Sequence, residues 1–258
     1  MSEERNEILD TFRRVEDKYA LTPQQANLFR QLCSSHIKKD VYFKYTVQSV
    51  YYDTIGSDLV IQSLMKPQYK MKLRLRSYGQ PDGNKPLFLE TKKKYQDIVY
   101  KRRIVLSEKE AESYLEYGIP HHVKNNTADE IDYILNFYNP EPKVLIIYDR
   151  ECYAAVDEAD VRITFDTNIR YRTDHVSLYE DGSEKKLAED TVMLEVKAMD
   201  RYPMWLTRIL SAMKVRRTSF SKYGTIYTMN HQVEKPVYSR AYENKTMMKE
   251  ESVCSLQY

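Results

Sequence analysis

The stretch Tyr69–Tyr78 reads YKMKLRLRSY and alternates strictly between apolar and charged side chains. Successive side chains of a β-strand point to opposite faces. One face would therefore carry cations only, namely Lys70, Lys72, Arg74 and Arg76. The other face would carry Tyr69, Met71, Leu73 and Leu75. This period of two predicts a strand with one apolar face and one strongly basic face.

The same alternation recurs along the chain. Strand patterns cover Val15 to Leu21 and roughly residues 44–53, 86–94, 97–106, 143–155, 160–171 and 191–198. Their charged faces add the cations Lys18, Lys92, Lys94, Lys101, Arg103, Arg150, Arg162 and Lys197. The carboxylates on the same faces are Glu16, Glu90, Asp166 and Glu195. The sequence thus predicts a surface on which cations outnumber carboxylates by twelve to four.

Two interpretations of this surface remain open. An antiparallel sheet often exposes a charged face to water, and each strand alone fits that description. Like charges on neighbouring strands repel, however, and a surface of this kind calls for an anionic partner. If the sheet closes, the charged face becomes a lumen for a polyanion and helices cover the apolar exterior. We therefore expect a mainly β (α+β) fold, with carboxylates of the lumen available to a divalent cation.

Helical patterns interrupt the strands near residues 107–117, 127–138 and 203–213, and a short helix is predicted over 5–13. Thr22 is a plausible N-cap with Pro23 at the first helical position. The helix that follows would place Ala26, Phe29, Leu32 and Cys33 on one face. We expect one domain over 1–230 and a loose or separately docked tail over 231–258.

Composition excludes several classes of protein. The 258 residues are 42% hydrophobic and carry a net charge of only +2, which disfavours a protein that coats nucleic acid. The six glycines form neither GxxxxGK[ST] nor GxGxxG, so P-loop and Rossmann nucleotide sites are excluded. No apolar run could span a bilayer, and the N-terminus lacks a signal-peptide layout. A cytoplasmic protein is therefore expected.

At these residues the chain resembles the VTC (vacuolar transporter chaperone) domain, the polyphosphate-polymerase branch of the triphosphate tunnel metalloenzymes. The motifs that carry the resemblance follow in family order. They are RVEDKY (14–19), SVYYDT (49–54), KLRLRSYG (72–79), LETKKK (89–94), YKRR (100–103), YDRECY (148–153), VRITFDT (161–167), LEVK (194–197) and SFSKYG (219–224).

The resemblance implies a closed eight-stranded antiparallel β-barrel tunnel. It also implies ATP as phosphoryl donor, a growing polyphosphate chain, and a divalent metal, Mn²⁺ or Mg²⁺. The matching positions assign phosphate binding to Lys18, Arg74, Arg76, Lys92, Lys101, Arg150, Arg162, Ser221 and Lys222. Glu195 corresponds to the metal-binding glutamate of the family.

Combining the alternation with the resemblance gives the predicted site. The predicted substrate-binding residues are the nine phosphate-binding residues just named together with Lys72, Lys94, Arg103 and Lys197. Among them, Lys222, Lys18 and Arg74 are the catalytic candidates. Glu195, Glu16 and Glu90 are the candidate metal ligands. Ser221 and Lys222 rest on the resemblance alone, since a plain helix start explains them equally well.

Departures from related families narrow the function. The related CYTH triphosphatases carry ExExK on the first strand, whereas this chain has Arg14-Val-Glu16-Asp-Lys18. Loss of the first carboxylate disfavours a two-metal hydrolase. The chain also shows no SPX sensor and no membrane helices, so direct membrane insertion is not expected, although a membrane partner is compatible with the sequence.

Four functions stay open at this point, two enzymatic and two non-catalytic. A metal-dependent polyphosphate polymerase fits the motifs best. An inorganic or nucleoside triphosphatase would use the same phosphate clamp. A non-catalytic module that binds polyphosphate or nucleotide would show anion binding without turnover, and nucleic-acid binding ranks last.

Overall fold

The computed structural model describes residues 14–65, 68–95 and 98–231. The helix predicted over 5–13 and the tail predicted beyond residue 231 lie outside these ranges.

The strands of the sheet follow the alternating segments closely. They are β1 (Arg14–Leu21), β2 (Ile37–Asp53), β3 (Tyr69–Tyr78), β4 (Leu87–Tyr95), β5 (Ile98–Leu106), β6 (Glu141–Ala155), β7 (Arg162–Arg172), β8 (Lys185–Lys186) and β9 (Val192–Met199). β2 begins earlier than the pattern predicted, and β8 was not predicted. The mainly β class is confirmed.

The helices are α1 (Pro23–Leu32), α2 (Asp58–Leu64), α3 (Glu108–Tyr117), α4 (Asn126–Tyr138), α5 (Met204–Ala212) and α6 (Lys222–Asn230). Local chemistry fixes several of their starts. Thr22 caps α1 in a capping box with Gln25, and Ser107 caps α3 in the same way with Glu110. No helix within the described part of the chain is both long and apolar enough to cross a membrane.

All strand pairings are antiparallel. The order across the sheet is β1-β9-β7-β6-β2-β3-β4-β5, and β8 pairs with β7. Within the described ranges β1 and β5 are the two edges and do not pair, so the closed barrel predicted above is not confirmed. The sheet nevertheless curves strongly, because Nζ of Lys92 on β4 lies 3.7 Å from Oε1 of Glu16 on β1.

Helices cover the convex face of this curved sheet, as predicted. α1 and α5 pack on β1, β7 and β9, and α3 and α4 pack on β3, β4 and β5. Ala26, Phe29 and Cys33 of the first of these layers are buried. Leu32 is 44% exposed, so its predicted place on the buried face was wrong. Leu32 is the last residue of α1, and the chain beyond it turns toward β2.

A third apolar cluster lies on the concave face, and no alternation pattern predicted it. Helices α2 and α6 pack there against β2, β6 and β7, with Tyr51, Tyr223 and Ile226 buried at the contact. Asp53 accepts hydrogen bonds from the backbone N–H groups of Leu59 and Val60 and from the Tyr223 hydroxyl, which joins both helices to β2. The two helices therefore fill one end of the concavity and leave the rest open.

Candidate functional site

The charged side chains predicted by alternation lie together on the concave side of the sheet. The strand register aligns them in rows, such as Tyr51 opposite Arg74, Arg74 opposite Glu90, and Glu90 opposite Arg103. We call this surface the cationic face. It comprises Lys18, Lys70, Lys72, Arg74, Arg76, Lys92, Lys94, Lys101, Arg103, Arg150, Arg162, Lys197 and Lys222, with the carboxylates Glu16, Glu90, Asp166 and Glu195.

Glu90 organises one side of the cationic face. Its side chain is 1% exposed, and Oε2 lies 2.7 Å from Nη2 of Arg74 and 3.7 Å from Nη1 of Arg76. Oε1 lies 3.4 Å from Nζ of Lys101. Burial alone would raise the pKa of Glu90, but these three cations outweigh it and lower the pKa to about 2. Glu90 is thus a permanent anion that holds three predicted phosphate ligands.

Asp166 plays the corresponding part on the opposite side. It is also 1% exposed, and it accepts two hydrogen bonds from Arg150, from Nε at 2.6 Å and from Nη2 at 2.8 Å. Nζ of Lys222 donates to Oδ2 at 2.6 Å. Asp166 was placed on the charged face by alternation but was not among the predicted site residues.

The remaining two carboxylates lie near the β1 edge. Glu195 contacts Lys197 at 2.7 Å and Nη2 of Arg150 at 3.6 Å, and Glu16 contacts Lys18 at 3.6 Å. Burial would raise the pKa of Glu195, but the charges of Lys197, Lys18 and Arg150 hold it well below its ordinary value. Glu195 is therefore ionised at neutral pH.

The segment Phe220–Lys222 crosses the concavity at the start of α6. The Phe220 carbonyl accepts a hydrogen bond from Lys18 on β1, the Ser221 hydroxyl accepts one from Lys72 on β3, and Lys222 reaches Asp166 on β7. Ser221 is also the N-cap of α6, since its side chain accepts from the N–H of Gly224. Three distant strands thus hold this segment. It contains Ser221 and Lys222, which the alternation of side chains could not place.

The crowding of cations alters their titration. Burial and nearby lysines together lower the pKa of Lys72 to about 8, against the opposing effect of Tyr51. Burial likewise lowers the pKa of Lys101 to about 8. Burial raises the pKa of Tyr51, but Arg74, Arg76 and Lys72 outweigh this and lower it to about 7. In the free site, burial and repulsion between cations therefore favour the loss of protons from Lys72 and Lys101.

One part of the cationic face is open to solvent. The side chains of Lys101 and Arg162 are 48% and 58% exposed, whereas those of Arg74 and Lys222 are each 16% exposed. Arg162 pairs with Asp40, which lies in an irregular part of β2 that the predicted strand 44–53 did not include. The site is thus a cationic groove that deepens toward α6.

The other predicted phosphate ligands also lie on the concave side of the sheet. Arg103 lies over the ring of Phe88, and Lys94 lies opposite Lys70, a cation of the same face that was not among the predicted phosphate ligands. Lys92 contacts Glu16 across the groove, as described above. The sheet and α6 thus bring all thirteen predicted phosphate-binding residues to the same concave surface.

The predicted metal ligands do not form one cluster. Among the described residues no three His, Cys, Asp or Glu side chains lie close enough together to hold a metal ion. Glu90 contacts Arg74, Arg76 and Lys101, and its buried Oε1 has no hydrogen-bond partner, so its part as a metal ligand stays a prediction. Glu195 and Glu16 lie on neighbouring strands, and the hydroxyl of Thr164, opposite Glu195, is buried without a hydrogen-bond partner. These oxygens fit a single ion that takes its other ligands from phosphate and water.

Fold and site together define an antiparallel β protein with a cationic groove on the concave side of its sheet. The model of the VTC domain family matches residues 13–231, which is most of the chain. The chain therefore belongs to the VTC domain family, and the resemblance described from the motifs is confirmed.

The chain is similar to several solved structures, one of which has a TM-score above 0.5 and supports the fold. A protein of Bacillus halodurans described as a candidate adenylate cyclase is 12% identical, with a TM-score of 0.51, over 81% of this chain and 93% of that chain. A Hippeastrum protein, described as a candidate adenylyl cyclase with a dominant triphosphatase activity, is 13% identical, with a TM-score of 0.47, over 87% of this chain and 98% of that chain. No curated protein sequence matches this chain significantly.

Proposed function

We propose that this protein is a metal-dependent polyphosphate polymerase that transfers the γ-phosphate of ATP to a growing polyphosphate chain. The observation that carries the proposal is the charge of the cationic face, where thirteen cations surround only four carboxylates. Like charges on neighbouring strands repel, and an anion of high charge density would neutralise this surplus. Linear phosphate chains have this charge and fit an elongated groove.

The two buried carboxylates support a division of roles within the groove. Glu90 holds Arg74 and Arg76 on one side, and Asp166 holds Arg150 and Lys222 on the other. Arginine forks bind phosphate oxygens through paired hydrogen bonds. The donor triphosphate would therefore bind between these two groups, with Lys18 and Lys72 beside Phe220–Lys222 between them.

Phosphoryl transfer needs little covalent chemistry from such a site. Negative charge spreads over the oxygens of the transferred group, and fixed cations stabilise it without reorganisation. Arg74, Lys18 and Lys222 are the cations that we assign to this task. The acceptor is a terminal phosphate oxygen that is already anionic at neutral pH, so the site requires no strong general base.

A divalent ion, Mn²⁺ or Mg²⁺, would be held by Glu195 with Glu16 and by the substrate phosphates. When bound, it would neutralise phosphate charge as a Lewis acid. Glu90, the third predicted metal ligand, lies between Arg74, Arg76 and Lys101, and we assign it to holding these cations rather than the ion. The absence of a carboxylate at Arg14 leaves ligands for one ion rather than two and favours the polymerase over a two-metal hydrolase.

The test is incubation of the purified protein with ATP and Mn²⁺, followed by gel detection of polyphosphate and measurement of ADP and free phosphate. We expect polymer to accumulate with the release of one ADP for each phosphate added. The variant Glu195→Ala should form no polymer. Free phosphate without polymer would identify a triphosphatase. Tight tripolyphosphate binding without any turnover would reduce the protein to a binding module.

Neighbouring residues on β4 provide a matched control. Lys92 faces the groove, whereas Lys93 faces the opposite side and pairs with Glu130 at 2.7 Å. The proposal expects Lys92→Ala to lose polymerisation and Lys93→Ala to retain it. Equal effects of both substitutions would show that general surface charge, rather than the groove, binds the substrate.

A further inference from the structure

Asp166 joins two cations that come from different parts of the fold. Arg150 belongs to β6, and Lys222 belongs to the first turn of α6, 56 residues from Asp166 along the chain. Oδ1 receives Nε of Arg150, while Oδ2 is shared by Nη2 of Arg150 and Nζ of Lys222. This carboxylate therefore sets the spacing between the two cations.

The aromatic ring of Tyr148 completes the arrangement. Nζ of Lys222 lies 4.2 Å from the ring centroid, and the guanidinium carbon of Arg150 lies 5.2 Å from it. Both cations are thus fixed from two directions, by a carboxylate and by an aromatic face. A carboxylate and a ring placed in this way leave each cation little freedom to rotate.

The position of Arg150 has consequences beyond the pair. Its Nη2 also lies 3.6 Å from Oε2 of Glu195, the carboxylate that we assign to the metal ion. Asp166 therefore connects the start of α6, through Arg150, to Glu195. A shift of this carboxylate would move Lys222 and Arg150 relative to both the phosphates and the metal ligand.

Electrostatics alone does not explain an anion at this place. A carboxylate opposes the binding of a polyanion, and its own burial is costly. Burial raises the pKa of Asp166, but the charges of Lys222 and Arg150 lower it below its ordinary value. Burial likewise lowers the pKa of Lys222, and Asp166 reverses this and raises it. Asp166 thus keeps Lys222 charged. It weakens the electrostatic attraction for the substrate, but it fixes the positions of Arg150 and Lys222.

We propose that Asp166 is a positioning residue, which holds Arg150 and Lys222 at the spacing that phosphoryl transfer requires. This inference rests on the proposed function, because the cations that it positions are the ones assigned to the donor triphosphate. A binding residue increases the affinity for the anion, whereas the negative charge of Asp166 decreases it. Removing it should leave or improve anion affinity and should impair turnover.

The test compares Asp166→Asn and Asp166→Glu with the wild-type protein. Asparagine keeps the shape and removes the charge, whereas glutamate keeps the charge and displaces it by one methylene. We expect kcat for polyphosphate synthesis to fall at least tenfold in both variants, with KM for ATP unchanged or lower in Asp166→Asn. A purely structural role would raise KM as kcat falls. The melting temperature does not separate the two roles, because loss of a buried counter-ion lowers it in either case.

Glu151→Gln is the matched control. Glu151 lies on β6, pairs with Arg30 at 2.9 Å and with Lys44 at 3.8 Å, and takes no part in the cationic face. Its replacement removes a carboxylate from an arginine and a lysine without touching the groove, so kcat should stay within twofold. A kcat within twofold of wild type in both Asp166 variants would overturn the inference.

A second readout separates this inference from the proposed function. Titration calorimetry without metal gives the dissociation constants for inorganic tripolyphosphate and for sulfate. Loss of positioning should reduce the preference for tripolyphosphate over sulfate at least fivefold in Asp166→Asn, whereas a simple charge effect would leave the ratio unchanged. If wild-type protein shows no turnover, the proposed function fails, and the ratio alone then decides the role of Asp166.

Discussion

Glu90 offers the sharpest test of how this site is held together. Its carboxylate is 1% exposed and is the common counter-ion of Arg74, Arg76 and Lys101. Glu90→Gln preserves the shape of the side chain and leaves three cations facing each other. The pKa of Glu90 falls from an ordinary 4.5 to about 2. A shift of that size corresponds to about 3 kcal/mol of folding free energy.

The loss expected from breaking a buried ion pair, about 3–5 kcal/mol, is of the same size. A melting temperature lower by about 6–12 °C should follow for a chain of this length. The sign of the pH dependence is fixed by the lowered pKa. The difference between wild type and Glu90→Gln should be complete above about pH 4.5 and should shrink as the pH falls toward 2.

Urea unfolding at pH 7, 4 and 3 measures this difference, and Glu130→Gln provides the control. Glu130 also bridges two cations, Lys93 at 2.7 Å and Arg102 at 2.6 Å, but its side chain is 20% exposed and lies outside the groove. Its loss should cost only about 1 kcal/mol. Tripolyphosphate should stabilise Glu90→Gln more than wild type, because it replaces the missing anion. A loss below 1 kcal/mol for Glu90→Gln at pH 7, or equal losses in both variants, would refute the reasoning.

Three further predictions concern binding and local structure. Metal-free tripolyphosphate affinity should fall at least about tenfold from pH 7 to pH 9, because Lys72 and Lys101, each with a pKa of about 8, lose their charges; Lys101→Arg should flatten this dependence in calorimetry. Lys92→Ala should weaken the same binding by about 1.5 kcal/mol, roughly tenfold, whereas Lys93→Ala should change it less than twofold. Thr22→Ala should lower the free energy of unfolding by about 1 kcal/mol through loss of the α1 cap, with no change in anion affinity.

The cationic face could be recognised in the sequence because it depends on a local property. In a strand each residue has its face determined by its neighbours, so Lys72, Arg74 and Arg76 had to share one side wherever β3 was placed. The same reasoning located Glu195 on β9 and Lys18 on β1. The register then places Lys18 opposite Glu195 and Arg74 opposite Glu90.

Features that depend on curvature could not be found in this way. The resemblance implied a closed barrel, which the alternation left open, whereas β1 and β5 do not pair with each other within the described ranges. Glu90 resembled a metal ligand because a carboxylate among cations has the same sequence signature in both roles. Only its distances to Arg74 and Lys101 show that it is a counter-ion.

The sequence by itself therefore determined the strands, the two faces of each strand, and the excess of positive charge on one of them. The tertiary structure decided how far the sheet curves, that Phe220–Lys222 crosses its concave side, and that Asp166 holds Arg150 and Lys222 together. The physical reason is the range of the forces involved. Side-chain alternation follows from the geometry of successive peptide units, whereas contacts between residues 56 positions apart depend on packing of the whole sheet against α2 and α6.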